Sequence, residues 1–199
     1  MQNDFVQHKG KIYTGTMVDG IIPKIYDLLS LAREKGVKTI HTQSWYEKDD
    51  PGFSDNPKAR MNRGGCLAGS WGAELIDQLI PKAGEPVVQK SSYDPFYRFG
   101  DFSPGSVHRN RARNNCNVIV AGTVANVCVE KAVMGFYLRG FEVIIPVDCI
   151  ASSTEYAQSW ALYQFKVVSS QDNTFGLDND QNQPPIARAT LLQSRMKEK

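Results

Sequence analysis

The stretch that decides the fold is NVIVAGTVANVCVEKAVMGFYLRG, residues 117–140. Its first six residues are a short apolar, β-branched run, which is typical of a strand buried on both faces of a sheet. Apolar residues at helical spacing follow immediately and end at Gly140. A buried strand that passes directly into a helix predicts parallel strands joined by helical crossovers.

The segments on either side repeat this alternation of strand and helix. Before it, the pattern predicts a helix over 17–35, a strand over 37–43, a short helix over 73–80 and a strand over 86–90. After it, a strand is predicted over 141–148, and the capping box SSTE at 152–155 begins a helix to Phe165, before a short strand KVVSS at 166–170. We therefore predict an α/β fold of three layers, a mostly parallel sheet with helices on both faces.

The whole chain, residues 1–199, is expected to form one domain, because no shift in composition divides it. The polar segment 45–65 has the length of a lid or binding loop. Residues 97–115 hold four arginines and few apolar residues, so the pattern there specifies no element, and the tail after residue 176 is poorly patterned.

The composition excludes several classes of function. Hydrophobic residues make up 41%, charged residues 22%, and the formal net charge is +2, too small to indicate a nucleic-acid or membrane-surface partner. No apolar run reaches the roughly 18–20 residues that span a bilayer. The four cysteines form no C-x-x-C pair and the histidines show no ligand spacing, so we expect a reducing cytosol, no metal and no cofactor.

Two residues lie where chemistry is expected. Ligands of parallel sheets bind at the carboxyl ends of strands, here at Gln43, Lys90 and Gly122. Cys128 follows the third of these ends, within about the first turn of a helix, where N–H groups and the helix dipole stabilise a thiolate. A buried core thiol is the alternative. Lys90 is either a cation beside that thiol or a side chain that leaves the sheet for solvent.

Five segments carry a resemblance to a known family. They are MQNDFV (1–6), GSWGAEL (69–75), KSSYDPF (90–96), GTVANVCVEKAV (122–133) and FEVIIPVDCIASS (141–153). Together and in this order they resemble the isochorismatase-like cysteine hydrolases, which include nicotinamidases, N-carbamoylsarcosine amidases and ureidoacrylate amidohydrolases. The resemblance extends from Met1 to about Phe165.

The resemblance implies a Cys-Lys-Asp site. Cys128 would be the nucleophile and Lys90 the cation beside it. Thr123–Val124 matches the family's cis peptide bond, and the N–H groups of Val124 and Cys128 would form the oxyanion hole. Metal-dependent nicotinamidases carry an Asp-x-His pair and a further His where this sequence has 44–46 (SWY) and Gly65, so no metal site is expected.

The family's motif is D-x-Q-x-D-F, and its leading Asp, the catalytic base, would fall immediately before Met1. We therefore expect the first central strand to be missing from this sequence, whose natural chain would begin further upstream. Asp4 matches the motif's second, structural Asp and is only a weak substitute. Arg60 and Arg63 in the lid are candidates to bind a substrate carboxylate, although arginines in loops are more often solvated. The substrate pocket is expected to be lined by Phe5, Trp45, Asn62, Tyr93, Phe96 and Val127.

The predicted function is a metal-independent cysteine amidohydrolase that cleaves a small amide or ureido compound through a thioester. A non-catalytic or truncated family member, which the missing Asp would produce, is the alternative. Hydrolysis of a vinyl ether, as in true isochorismatases, is a further one. The resemblance also implies a homo-oligomer.

Overall fold

The computed structural model describes residues 1–48, 64–97 and 117–169, with the side chains of 166–169 excepted. Most of the predicted lid, nearly all of 97–115 and the tail after 176 lie outside the described residues. The described helices are α1 (Asn3–Val6), α2 (Met17–Glu34), α3 (Glu130–Tyr137) and α4 (Glu155–Ser169). The strands are β1 (His41–Ser44), β2 (Val87–Lys90), β3 (Asn117–Ile119), β4 (Gly122–Thr123), β5 (Glu142–Ile144) and β6 (Ile150–Ala151).

All pairing between these strands is parallel, as predicted, but the strands are shorter than the sequence pattern indicates. β1 pairs with β2, β3 with β5, and β4 with β6. Within the described residues these pairs form three two-stranded sheets, and the single sheet that was predicted is not seen. The chain leaves the strand conformation between β5 and β6. Pro146 lies at this interruption and helps to explain it, because proline has no N–H to donate to a neighbouring strand.

Helices cover both faces of the strands, which confirms the α/β arrangement. On β6, Ile150 packs into an apolar cluster with residues of α3 and α4, while its neighbour Ala151 packs with residues of α2. Successive strand residues point to opposite faces, so α2 lies on one face of β6 and the other two helices lie on the other. The buried side of α2 follows its predicted spacing, with Val18, Ile21, Ile25, Leu28 and Leu29 in the core.

Two local predictions are wrong. Residues 166–169 of the predicted strand KVVSS continue helix α4, because Val168 extends the helical apolar spacing of Ala161 and Phe165. The helix predicted over 73–80 is absent, and two short 3-10 turns flank extended residues instead. Main-chain hydrogen bonds to Met1 and Asn3 hold residues 74–76 extended, so these residues cannot form a helix.

An ion cluster joins the end of α2 to the starts of β1 and β2. Arg33 donates from Nε and Nη2 to the Glu85 carboxylate at 2.7 and 2.8 Å, and His41 Nε2 lies 2.9 Å from Glu85 Oε2. Hydrogen bonding from Arg33 holds the pKa of the Glu85 carboxyl well below its usual range. Burial lowers the pKa of His41 despite that carboxylate.

In the described ranges, no helix is long and apolar enough to cross a bilayer.

Candidate active site

Lys90 and Cys128 come together at the carboxyl ends of their strands. Lys90 is the last residue of β2, and Cys128 lies in the π-helical turn Ala125–Val129 that follows β4 and leads into α3. The Lys90 Nζ to Cys128 Sγ distance is 3.7 Å. The two candidates that the sequence singled out are therefore neighbours, and π-helical turns of this kind are frequent at functional sites.

The Lys90 ammonium is buried, with only 5% of the residue exposed. Its Nζ donates to the carbonyl oxygens of Ser92 at 2.9 Å and Tyr93 at 3.4 Å. It has no carboxylate partner among the described residues. A buried charge is costly unless an opposite charge lies close to it, and a thiolate at Cys128 meets that requirement.

The peptide bond between Thr123 and Val124 is cis, at the position where the resemblance placed one. Val124 is extended, with φ −90° and ψ 131°, and its carbonyl oxygen accepts hydrogen bonds from the N–H groups of Val127 and Val129. The hydroxyl of Thr123 donates to the carbonyl of Ala151 on β6 at 3.0 Å, which fixes this turn to the neighbouring strand. Cys128 thus lies at the N-terminal end of a helix, where the helix dipole favours a negative charge.

Asp4 lies in the short helix α1 and both of its carboxylate oxygens are occupied. Oδ1 accepts from the Lys11 N–H at 2.9 Å, and Oδ2 accepts from the Cys66 N–H at 2.7 Å. A Cβ at Gly72 would overlap this carboxylate, so the close approach of the 69–75 turn requires a glycine there. Asp4 therefore ties together two loops beside the site.

Gln2 makes contacts that the sequence did not suggest. Its side-chain amide donates to the Ser44 carbonyl at 2.7 Å and accepts from the Ser44 N–H at 2.7 Å, as a peptide group of an adjacent strand would. The same nitrogen donates to the carbonyl of Ala73 at 2.8 Å. The only signal for this role was the glutamine of the family motif.

Cys66 and Cys149 are buried thiols that differ from Cys128 in their surroundings. Burial raises the pKa of each to about 12, and Asp4 adds to the effect at Cys66. Both therefore stay protonated at neutral pH and are poor nucleophiles. Cys66 also has a positive φ of 56°, in the loop that Asp4 holds.

The predicted pocket residues are only partly brought together. Tyr93 is close enough for Cys128 to influence its hydroxyl, whose pKa burial raises. The main chain of Trp45 lies beside Lys90, because its main-chain N–H donates to the Lys90 carbonyl at 2.8 Å, whereas its indole N–H donates to Glu47 Oε1 at 2.8 Å. Phe5 packs against the apolar core, and Phe96 packs against α3 further from the thiol.

The other predicted site residues fall differently. Val127 is partly buried in the turn that carries Cys128. Asn62, Arg60 and Arg63 lie outside the described residues. No group of three or more His, Cys, Asp or Glu side chains that could hold a metal ion occurs in the described part of the chain.

A cysteine at the start of a helix, a buried lysine beside it and a parallel α/β frame define a class of cysteine-dependent enzyme sites. The isochorismatase domain family matches residues 1–172, and the chain belongs to this family.

Individual relatives agree with this assignment. The chain is 29% identical over 196 residues to the ureidoacrylate amidohydrolase RutB of Stutzerimonas stutzeri, covering 86% of this chain and 77% of the relative. It is 30% identical over 185 residues to the RutB of Azorhizobium caulinodans, covering 82% and 78%. A solved cysteine hydrolase from Pseudomonas syringae pv. phaseolicola shares the fold, with a TM-score of 0.76 at 22% identity, covering 100% of this chain and 89% of that one.

Proposed function

We propose that this protein is a metal-independent cysteine amidohydrolase that cleaves a small amide or ureido compound. The observation that carries the proposal is the 3.7 Å contact between the buried Lys90 ammonium and Cys128 at the start of a helix. Two relatives named as ureidoacrylate amidohydrolases support the choice of a ureido substrate.

The reaction follows from these groups. The Cys128 thiolate attacks the carbonyl carbon, and the N–H groups of Val124 and Cys128 hold the oxyanion of the tetrahedral intermediate. Collapse of this intermediate breaks the C–N bond and releases ammonia, and the carbonyl carbon stays bonded to the Cys128 sulfur, as a thioester from an amide or a thiocarbamate from a ureido compound. Water then hydrolyses this C–S bond and regenerates the thiol. Lys90 stabilises the negative charge on sulfur at the start and at the end of the cycle.

The Met1 amino nitrogen is buried, which lowers its pKa to about 6, and Cys66, Lys90 and Cys128 lie close enough to contribute. The N-terminal residues therefore border the site. A general base there would take the thiol proton, give it to departing ammonia and then activate water.

The experiment is ammonia release from a panel of small carbamoyl and ureido amides. We expect Cys128→Ala to abolish it, because no other described thiol is both accessible and close to a cation. Cys149→Ala, which removes a buried thiol away from the site, is the matched control and should retain activity. Full activity in Cys128→Ala would refute the proposal.

The alternative of a non-catalytic family member has its own outcome in the same assay. A non-catalytic protein would release no ammonia from any of these compounds, and Cys128→Ala would then not differ from wild type.

A further inference from the structure

The segment 90–97 consists of Lys90, which ends β2, and the loop that follows it, and it contacts the helical segment 125–139 at two places. The first is the contact between Lys90 and Cys128. The second is the ring of Phe96, which packs on α3 about two turns further along the same helix. The segment between them folds tightly, because the Phe96 N–H donates to Asp94 Oδ1 at 2.8 Å.

The Phe96 ring packs against three residues in the C-terminal half of α3 and just beyond it, namely Gly135, Phe136 and Arg139. Phe136 meets the ring edge-on, with centroids 5.0 Å apart and planes at 84°. The Arg139 guanidinium lies over its face, with the carbon 4.0 Å from the centroid, and is held there by a 2.9 Å hydrogen bond to the Gly135 carbonyl.

Gly135 is the residue that allows the Phe96 ring to pack this closely on α3. A Cβ built at position 135 would overlap Cδ2 and Cε2 of the Phe96 ring and would lie 3.4 Å from its Cγ. A ring closed in by an aromatic edge and a guanidinium cannot step aside at little cost. Glycine is unfavourable inside a helix, so its presence here fits a need for the close approach.

We propose that Phe96 and Gly135 are positioning residues that hold Lys90 beside Cys128. The ring anchors the far end of the loop on α3, and the compact turn transmits that anchor to the carbonyls of Ser92 and Tyr93, which fix the Lys90 ammonium. Without the anchor, the loop can shift along the helix, and displacements of about 1 Å at such a site cost large factors in rate. The inference rests on the proposed function in taking Cys128 as the nucleophile.

The test is the rate at which iodoacetamide alkylates Cys128, read by mass spectrometry of the peptide that contains it, as a function of pH. Alkylation reports the thiolate and needs no substrate. We expect Gly135→Ala and Phe96→Ala each to slow the reaction at pH 7 by about tenfold and to move the pH of half-maximal rate upward. Gly20→Ala is the matched control, because Gly20 lies in α2 with open space around its Cβ position. It should leave the rate unchanged.

The double variant gives the decisive comparison. With the ring gone, the overlap at position 135 is removed, so Gly135→Ala/Phe96→Ala should be no slower than Phe96→Ala alone. Phe96→Leu keeps an apolar anchor and should recover most of the wild-type rate. A hundredfold, additive loss in the double variant would overturn the proposal, as would a wild-type rate in Phe96→Ala.

Two further outcomes are distinguishable. If the wild-type thiol reacts no faster than free cysteine, the proposed function fails and the positioning role fails with it. If the wild-type thiol is fast and every variant matches it, only the positioning role fails. Thermal melting accompanies each variant, and should Gly135→Ala not fold, Phe96→Ala against Phe96→Leu makes the same comparison, with equal wild-type rates overturning the inference.

Discussion

Replacing Asp4 by Asn should separate a structural carboxylate from a catalytic one. The side chain is almost fully buried, with 3% of the residue exposed, and each oxygen accepts one main-chain N–H. Asparagine has one carbonyl oxygen, so it can keep one of these bonds, and its amide group must then face the other N–H as a donor. The burial of Asp4 leaves little room for solvent to replace the lost acceptor.

The magnitude follows from these two contacts. A hydrogen bond to a charged group contributes about 1.5–3 kcal/mol, and a buried donor left without a partner costs about 1–3 kcal/mol. Because the two figures overlap in what they count, we expect Asp4→Asn to lower the free energy of unfolding by about 3 kcal/mol. Asp77→Asn, at an exposed position, is the control and should stay within about 0.5 kcal/mol of wild type.

Urea denaturation measures the stability, and alkylation of Cys128 in the folded protein measures the site. We expect Asp4→Asn to keep the alkylation rate within about threefold of wild type, because its carboxylate is committed to Lys11 and Cys66 and is not available to the thiol. A change below about 1 kcal/mol would contradict the assigned bonds. A folded Asp4→Asn protein that is no longer alkylated would show that Asp4 acts on the thiol.

The remaining predictions concern charge. Lys90→Met should slow alkylation of Cys128 at pH 7 by at least about tenfold, because the cation beside the thiolate is lost, while the exposed Lys24→Met should not. The free energy of unfolding should fall as the pH is lowered, because the folded-state pKa values of Glu85 and His41 both lie below their unfolded values and the unfolded chain binds more protons. The His41 part is lost below about pH 6.5 and the Glu85 part below about pH 4.5. Urea titrations between about pH 2 and 8 should show Glu85→Gln losing most of the lower part, and an unchanged curve would contradict the cluster.

The sequence predicts the fold best where the spacing of apolar residues fits only one kind of secondary structure. Helix α2 follows its apolar spacing closely, and the helical structure after β4 lies within the predicted segment 123–140, as a π-helical turn from Ala125 and then α3 to Tyr137. The KVVSS segment was misassigned because β-branched valines favour strands only weakly, and the helix that precedes them decides their conformation. A helix can thus continue past a local strand preference when the apolar spacing of its sequence continues.

The sequence alone predicts that Lys90 and Cys128 lie at the same edge of the fold. Both follow strands that run in the same direction, and the carboxyl ends of parallel strands meet at one edge. The contact itself needed the structure, because a lysine that ends a strand can also reach solvent. The family resemblance favours a lysine that faces the cysteine, and the 3.7 Å distance between Nζ and Sγ shows that contact directly.

Other links left no usable pattern in the sequence. The Gln2 amide reaches Ser44, which is 42 positions away, and Phe96 reaches Gly135, which is 39 positions away. Periodicity describes neighbours within one element, whereas these contacts depend on which elements meet and at what angle. A lone glycine in a helix predicts a close approach in general but does not say what approaches.

The site joins two parts of the fold that no strand pairing connects within the described residues. Lys90 ends the β1–β2 sheet, whereas Cys128 follows β4, which pairs with β6. Their relative position therefore depends on packing, through α2 and through contacts closer to the thiol such as Lys90 with Cys128 and Phe96 with α3. Contacts of this kind can be lost by local opening before the sheets and helices unfold. The alkylation rate of Cys128 should therefore decline at lower urea concentrations than the helical circular dichroism signal does. The reason is that fewer interactions hold Lys90 beside Cys128 than hold the helices and strands together.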